Sequence, residues 1–310
     1  MSSGAETTTS TFSSQHLAIE SNFPAWDNVP GQTQLLNLKV GIWGSPDAPP
    51  ERTFLLVHGI TANYRWWKTI AEQLLATSSE PLRIIAPDLR GRGDSDKPDG
   101  PYSVVVNAAD MLGVLNALGI SEPINYVGHS LGAHIGVVFA STYSERVRKL
   151  VLVDGGAQLP SDVDRSIAPA LKRLGQLYPT YADYVAPLKA AGVIPEWDDE
   201  ADEIYHYDSH AVEGGVMSKV SKSGIDQEQL HLPAFYEAVN SLYPKIAVPT
   251  VVLRAPVPIN PTLNPFLLPE ALETMTTTIA GGARVIDVPG TNHYTILLKP
   301  SAEMIKAILD

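Results

Sequence analysis

Ile124-Asn125-Tyr126-Val127-Gly128-His129-Ser130-Leu131-Gly132 runs from a short apolar strand, through a serine between two glycines, into a helical segment that begins at Leu131. Glycine on both sides of Ser130 suits a strand-to-helix turn so tight that a β-carbon would clash, and it predicts a strained backbone at the serine itself. Such a turn lifts the hydroxyl clear of the sheet. It also aims the backbone N–H of Leu131, at the helix start, toward negative charge developing nearby. Composition alone would produce Gly-x-Ser-x-Gly roughly 0.1 times in a chain of this length, and the flanking strand and helix are the context the pattern requires.

The same grammar continues on either side. Phe54-Leu55-Leu56-Val57 reads as a buried strand ending at His58-Gly59, Arg65 to Leu75 as a helix, and Arg83-Ile84-Ile85-Ala86 as the next strand. Val104 to Leu118 and Leu131 to Tyr143 are helical, and Leu150-Val151-Leu152-Val153 is a strand closed by Asp154. Leu35 to Trp43 alternates and reads as an antiparallel leading strand. The alternation stops between about Ala157 and Tyr243, where helical patterns carry no buried strand. It resumes at Thr250 to Leu253 and Arg284 to Val288, with a last helix from about Ser301 to Leu309. Buried strands alternating with helices give an α/β fold, here a mostly parallel twisted sheet of about eight strands flanked by helices. Residues 21–156 and 246–310 are expected to form the core, and 157–245 a helical cap inserted between two core strands. Residues 1–20 are expected to be a mobile tail, since the Ser/Thr-rich start has too few apolar residues to fold alone.

At 310 residues the chain is near the upper limit of one hydrophobic core. A formal net charge of −12 argues against a nucleic-acid partner, which would call for a basic face. The absence of cysteine excludes disulfides and thiolate metal sites. No basic stretch followed by an apolar run opens the chain, and no run approaches the ~18 apolar residues of a membrane span. A soluble, cytoplasmic protein is expected, with a small-molecule substrate as its partner; the oligomeric state is not legible.

Two further segments carry chemistry. His58-Gly59-Ile60 follows a core strand, and the N–H of Ile60 offers a second donor for an oxyanion. In Pro289-Gly290-Thr291-Asn292-His293-Tyr294, His293 follows the last strand, on the sheet edge where Ser130 also emerges. Of the other histidines, His16 lies in the expected tail, His58 belongs to the oxyanion loop, and His129 inside the elbow faces the wrong way to be a base. The acid is less obvious. After Thr250 to Leu253 comes Arg254-Ala255-Pro256-Val257-Pro258-Ile259-Asn260-Pro261, without a carboxylate, and Glu270 is the next one. Asp154, ending a buried strand beside the nucleophile strand, is costly there unless a donor meets it, and the Nδ1–H of His293 is such a donor. Glu270 as the acid, or a purely structural Asp154, remain the alternatives.

Tyr64, Trp66 and Trp67 follow the oxyanion loop and are candidates, with His58, Gly59 and His129, to line a substrate pocket; the competing reading packs a tryptophan onto the sheet. Asp198-Asp199-Glu200 with Asp202 and Glu203 reads as solvated cap surface. His206 and His210, four apart, would share a helix face and could hold zinc, although ordinary polar cap residues are the plainer reading. Arg92-Gly93-Asp94 resembles an adhesion motif inside a loop with another explanation.

From about Asn37 to Leu309 the chain resembles the capped α/β-hydrolase superfamily. Asp88-Leu89-Arg90-Gly91-Arg92-Gly93-Asp94-Ser95-Asp96-Lys97-Pro98 is similar to the loop those enzymes carry after their fourth strand. The resemblance implies a triad of Ser130, His293 and an acid, an oxyanion hole from Ile60 and Leu131, and no cofactor or metal. It departs where most members place the acid, after the strand that is here Thr250 to Leu253. The expectation is a serine hydrolase acting on a neutral, moderately apolar carboxylic ester or lactone through an acyl-enzyme, the tyrosine-rich cap (Tyr178, Tyr181, Tyr184, Tyr205, Tyr207) suiting such a substrate. Amide or carbon–carbon bond hydrolysis by the same triad, and a low-turnover ligand receptor, are the competing readings. An epoxide hydrolase of this fold needs an aspartate where Ser130 stands.

Overall fold

Strands that are apolar at every position must be covered on both faces, and this requirement organises the chain. The computed structural model describes residues 11–310. An eight-stranded sheet contains β1 (Phe12–Phe23), β2 (Gln32–Gly44), β3 (Thr53–Val57), β4 (Arg83–Pro87), β5 (Ile124–His129), β6 (Val147–Val153), β9 (Thr250–Arg254) and β10 (Ala283–Asp287). Their order is β1-β2-β4-β3-β5-β6-β9-β10, with β1 and β2 antiparallel to their neighbours and the remainder parallel. Every residue of β3 and β5 is buried. Helices α1 (Lys68–Thr77), α2 (Val104–Ala117), α3 (Leu131–Thr142), α8 (Pro269–Thr278), α9 (Thr295–Leu298) and α10 (Ala302–Leu309) belong to the core. One large apolar cluster contains Leu55, Ile85 and Leu152, and the other contains Phe54, Ile84 and Val151, so successive residues of each strand serve opposite faces.

The chain runs from β3 to β4 on one side and then crosses to β5 on the other. The crevice at the carboxyl ends of β3 and β5 is therefore a topological switch point, where open α/β sheets bind ligands.

Two expectations change here. Residues 12–20 are not tail: β1 pairs along its whole length with β2, and Ile19, Ser21 and Phe23 are buried. Polar Ser13, Gln15 and Ser21 share a face with Ile19 and Phe23, and this breaks the alternation a strand would show; residues 1–10 lie outside the described residues. The second change is in the inserted segment, which holds α4 (Val163–Lys172), α5 (Tyr181–Ala190), α6 (Asp199–Asp208) and α7 (Lys222–Leu242) but also a hairpin. Strands β7 (Ser209–Val212) and β8 (Gly215–Ser218) pair antiparallel around Glu213-Gly214, with Gly214 at φ 85°. Each strand is too short to show a pattern.

The loop after β4 ties the inserted segment to the sheet. Asp88 accepts the N–H groups of Tyr64 and Asp94 and the hydroxyl of Tyr207 from α6, at 2.8, 3.1 and 2.5 Å. Gly93 is required, because a Cβ there would stand 2.0 Å from the Asp88 carboxylate. Arg92 is fully buried and pairs at 2.9 Å with Glu228 of α7, so Arg92-Gly93-Asp94 is internal architecture. Nor is the acidic run of α6 merely solvated: Glu203 pairs with Arg65 and Lys68 of the core, at 2.5 and 2.6 Å.

Candidate active site

The turn at Ser130 is as tight as the glycines require. A Cβ on Gly128 would stand 2.1 Å from the carbonyl oxygen of Gly132, and one on Gly132 would stand 2.0 Å from that of Val57. Ser130 takes φ 54° and ψ −117°, a region non-glycine residues rarely adopt. Among the described residues, neither the N–H of Leu131 nor that of Ile60 donates to a protein acceptor. The loop at residues 59–61 is held by its carbonyls: that of Gly59 accepts from His58 Nδ1 at 2.8 Å, that of Ile60 from Arg92 Nε at 3.0 Å, and that of Thr61 from Arg173 Nη2 at 3.1 Å. Arg173, in the inserted segment, also pairs with Asp208 at 2.8 Å, so that segment helps fix this loop.

His293 stands on the loop after β10. Asn292 Oδ1 accepts the N–H groups of Tyr294 and Thr295, each at 2.9 Å, which pins the turn around it. His293 Nδ1 donates to Asp154 Oδ2 at 2.8 Å, which leaves Nε2 without the ring proton. The Phe266 ring stacks on the imidazole, 3.5 Å between centroids and 7° between planes. Asp154 ends β6 at φ 47°, and its Oδ1 accepts the N–H of Ala255 at 3.1 Å. Ala255 directly follows β9, where the sequence offers no carboxylate. Glu270 opens α8, is exposed, and lines a separate cavity with Ala157 and Tyr243. Ser130 and His293 line one cavity, without a hydrogen bond between their side chains among the described residues; such contacts tighten when substrate is bound. Burial pushes the His293 imidazole down, to about 3, and the Asp154 carboxyl up, to about 7, the Ala255 N–H opposing the latter. The imidazole is therefore neutral at rest and able to accept a proton.

The expected pocket residues divide. Gly59, Ile60, Trp66, His129 and Ser130 line a small cavity of about 30 Å³ together with His293, Tyr205 and Tyr294. Ser130 and Ile60 also border a larger one of about 380 Å³, under α4 and α7, walled by Leu131, His134, Leu159, Tyr236 and Phe266. His58, Tyr64 and Trp67 line neither. The Nε2 of His58 accepts the N–H of Leu89 at 3.0 Å, which fixes its tautomer and spends the ring on architecture. Tyr64 packs against Trp43 and Tyr207, and Trp67 is fully buried in the core. His206 and His210 share no helix face, since one is on α6 and the other on β7.

His129 donates from Nε2 to the carbonyl of His293 at 2.8 Å, and His134 Nδ1 accepts the N–H of Gly156 at 3.0 Å. With His58, both are held neutral: burial pushes all three down to about 3. The unfolded chain binds protons on these rings as pH falls through the ordinary histidine range, and the folded chain does not, so each lowers stability below about pH 6.5. His293, pushed down to about 3, adds a fourth such ring, whereas Asp88, pushed up to about 6, and Asp154, to about 7, each take up a proton on folding and oppose two of the four. A net of two protons then favours unfolding between about pH 6 and 4, roughly 3 kcal/mol lost per pH unit. Urea midpoints at pH 6.5, 5.5 and 4.5 are expected to drop steeply, and a flat profile contradicts the buried neutral histidines.

This fold and site define a hydrolase framework, and comparison with known proteins agrees. The chain belongs to the alpha/beta hydrolase fold family, whose model matches residues 52–300. It is similar to the 2-(acetamidomethylene)succinate hydrolase of Mesorhizobium japonicum, 28% identical over 255 residues, which are 82% of this chain and 85% of that one. An uncharacterized protein of Mycobacterium bovis is 40% identical over 102 residues, 33% of this chain, and the match spans only 28% of that relative's length. Among solved structures, E-2-(acetamidomethylene)succinate hydrolase superposes with a TM-score of 0.71 at 22% identity, covering 95% of this chain and 98% of that one, and so shares the fold.

Sequence reading missed Phe266, Arg173 and Ile167, which reach the site through long-range packing and stand in no motif. Tyr205 was legible only as one of the tyrosines of the inserted segment, and Tyr294 only as the neighbour of His293.

Proposed function

We propose that the protein is a serine hydrolase of neutral carboxylic esters, with Ser130 as nucleophile, His293 as general base and Asp154 as the acid that orients it. The observation that carries this reading is the 2.8 Å bond from His293 Nδ1 to Asp154, with Ser130 on a strained elbow lining the same cavity. His293 takes the hydroxyl proton as Ser130 Oγ attacks the carbonyl, and the N–H groups of Ile60 and Leu131 receive the oxyanion. His293 then protonates the leaving alcohol, and a water activated by the same ring releases the acid.

Substrate charge is read from the walls. Among the described residues, those lining the two cavities include no lysine or arginine, and Asp164 is the one carboxylate. The Mesorhizobium relative's name makes its substrate a succinate, a dicarboxylate; such a molecule would find no cation here. Amide hydrolysis, which that name also suggests, is the second reading. Methyl esters of a neutral acid are expected to exceed the corresponding half-esters of a dicarboxylate in kcat/KM by at least about tenfold, because a buried unpaired carboxylate is costly. Faster turnover of the half-esters, or of an amide isostere, would replace this reading.

A further inference from the structure

The two cavities at Ser130 are unequal, and the reacting groups are divided between them. The small one measures about 30 Å³ and the large one about 380 Å³, and Ser130, Ile60 and Ile167 border both. His293 walls the small cavity and does not wall the large one. On the mechanism proposed above, on which this inference rests, the leaving oxygen must lie where His293 Nε2 can protonate it. The leaving group therefore enters the small cavity, and the acyl chain has the large one.

Size then selects the substrate. The small cavity is above the roughly 10–15 Å³ that one water needs but more than tenfold smaller than its neighbour, so it suits a group of few heavy atoms. Trp66, Tyr205 and Tyr294 close it with large buried rings, Trp66 lying 6.0 Å from Tyr205 and 5.9 Å from Tyr294 between ring centroids. The large cavity falls in the range of ordinary ligand pockets, and its apolar walls include Leu159, Val163, Leu232 and Phe266.

We propose that the enzyme is selective for esters of a small alcohol, methanol-sized, joined to a bulky uncharged acyl group. In acylation the Ser130 Oγ–carbonyl bond forms, the bond from carbonyl carbon to alkoxy oxygen breaks, and the serine proton passes through His293 Nε2 to the departing alkoxide. The small alcohol leaves, and water takes its place in the same cavity. Attack of that water, with its proton moving to His293 and then to Ser130 Oγ, releases the carboxylic acid. A bulky alcohol has no room at the first step.

Two isomers of equal composition test this: methyl 3-phenylpropanoate, with the bulk on the acyl side, and 2-phenylethyl acetate, with the bulk on the alcohol. The first is expected to have the higher kcat/KM by at least about tenfold. In Trp66→Ala, which opens the small cavity, that ratio is expected to shrink by about the same factor. Ile167→Ala is the second variant; it sits at the half-buried border of both cavities, so it serves if the tryptophan variant fails to fold, and it is expected to shrink the ratio in the same direction. Equal or reversed preference in the wild type, or no hydrolysis of either isomer by a protein whose Ser130 takes up a fluorophosphonate, overturns the size rule and leaves the serine-hydrolase reading standing. No labelling and no hydrolysis together bring down both.

Discussion

Asp154→Asn is expected to lower kcat/KM by roughly 10⁴-fold while leaving the fold intact. Asparagine has the same shape, and its carbonyl oxygen can still accept the N–H of Ala255 as Asp154 Oδ1 does at 3.1 Å. What changes is the partner of His293. An amide NH₂ facing Nδ1 makes that nitrogen an acceptor and moves the ring proton to Nε2, so the nitrogen that should take the serine proton is already occupied. The anion that stabilises the imidazolium is lost as well. The pH profile carries a sign. Wild-type activity rises with pH as the Asp154–His293 pair loses its proton, then levels off. Removing the carboxylate makes protonation of the ring harder, so the rising limb moves to lower pH even as the plateau falls. Glu270→Gln, at an exposed residue beside another cavity, is expected to stay within about twofold of wild type, as surface changes generally do. If Asp154→Asn keeps a tenth of the activity, or Glu270→Gln loses most of it, the acid is elsewhere.

The largest loss belongs to Ser130. Ser130→Ala is expected to reduce turnover by roughly 10⁶-fold, since the remaining groups have no nucleophile to activate. The backbone supplies a second readout. At φ 54° and ψ −117° an alanine remains strained and a glycine does not. Ser130→Gly is therefore expected to be more stable than Ser130→Ala by about 1 kcal/mol, reversing the ordinary order in which alanine stabilises by restricting the unfolded chain. Chemical denaturation of the two inactive variants measures this directly. The ordinary order would mean that the elbow is relaxed.

The legible parts of the molecule were those whose chemistry is local. The elbow announces itself because glycine stands on both sides of the serine; Gly128 answers to Gly132 O within the turn, whereas Gly132 answers to Val57 O at the end of β3. The parallel sheet is visible because β3 and β5 are buried throughout and so carry no polar residue facing solvent. Strand β1 was hidden because polar Ser13, Gln15 and Ser21 share the face of Ile19 and Phe23, so no alternation shows and its start looks like a tail. Asp154 stood out in the sequence only as a carboxylate costly to bury, with Glu270 as its rival; its partners, His293 Nδ1 and the N–H of Ala255, lie 139 and 101 positions away. Trp66 and Trp67 occupy adjacent positions on one 3₁₀ turn and so point in different directions. One faces the cavity and the other the core, and local pattern cannot say which. Phe266, stacked on His293, lies in a proline-rich stretch without periodicity and is placed there only by the tertiary fold.

The most direct test of the central claim is intact-mass analysis after exposure to a small fluorophosphonate, with wild type, Ser130→Ala and Asp154→Asn side by side. The account predicts one adduct per wild-type chain, mapped to Ser130, none on Ser130→Ala, and labelling of Asp154→Asn slowed by roughly 10³-fold or more. An adduct that persists on Ser130→Ala, or a wild-type protein that stays unlabelled, would contradict it.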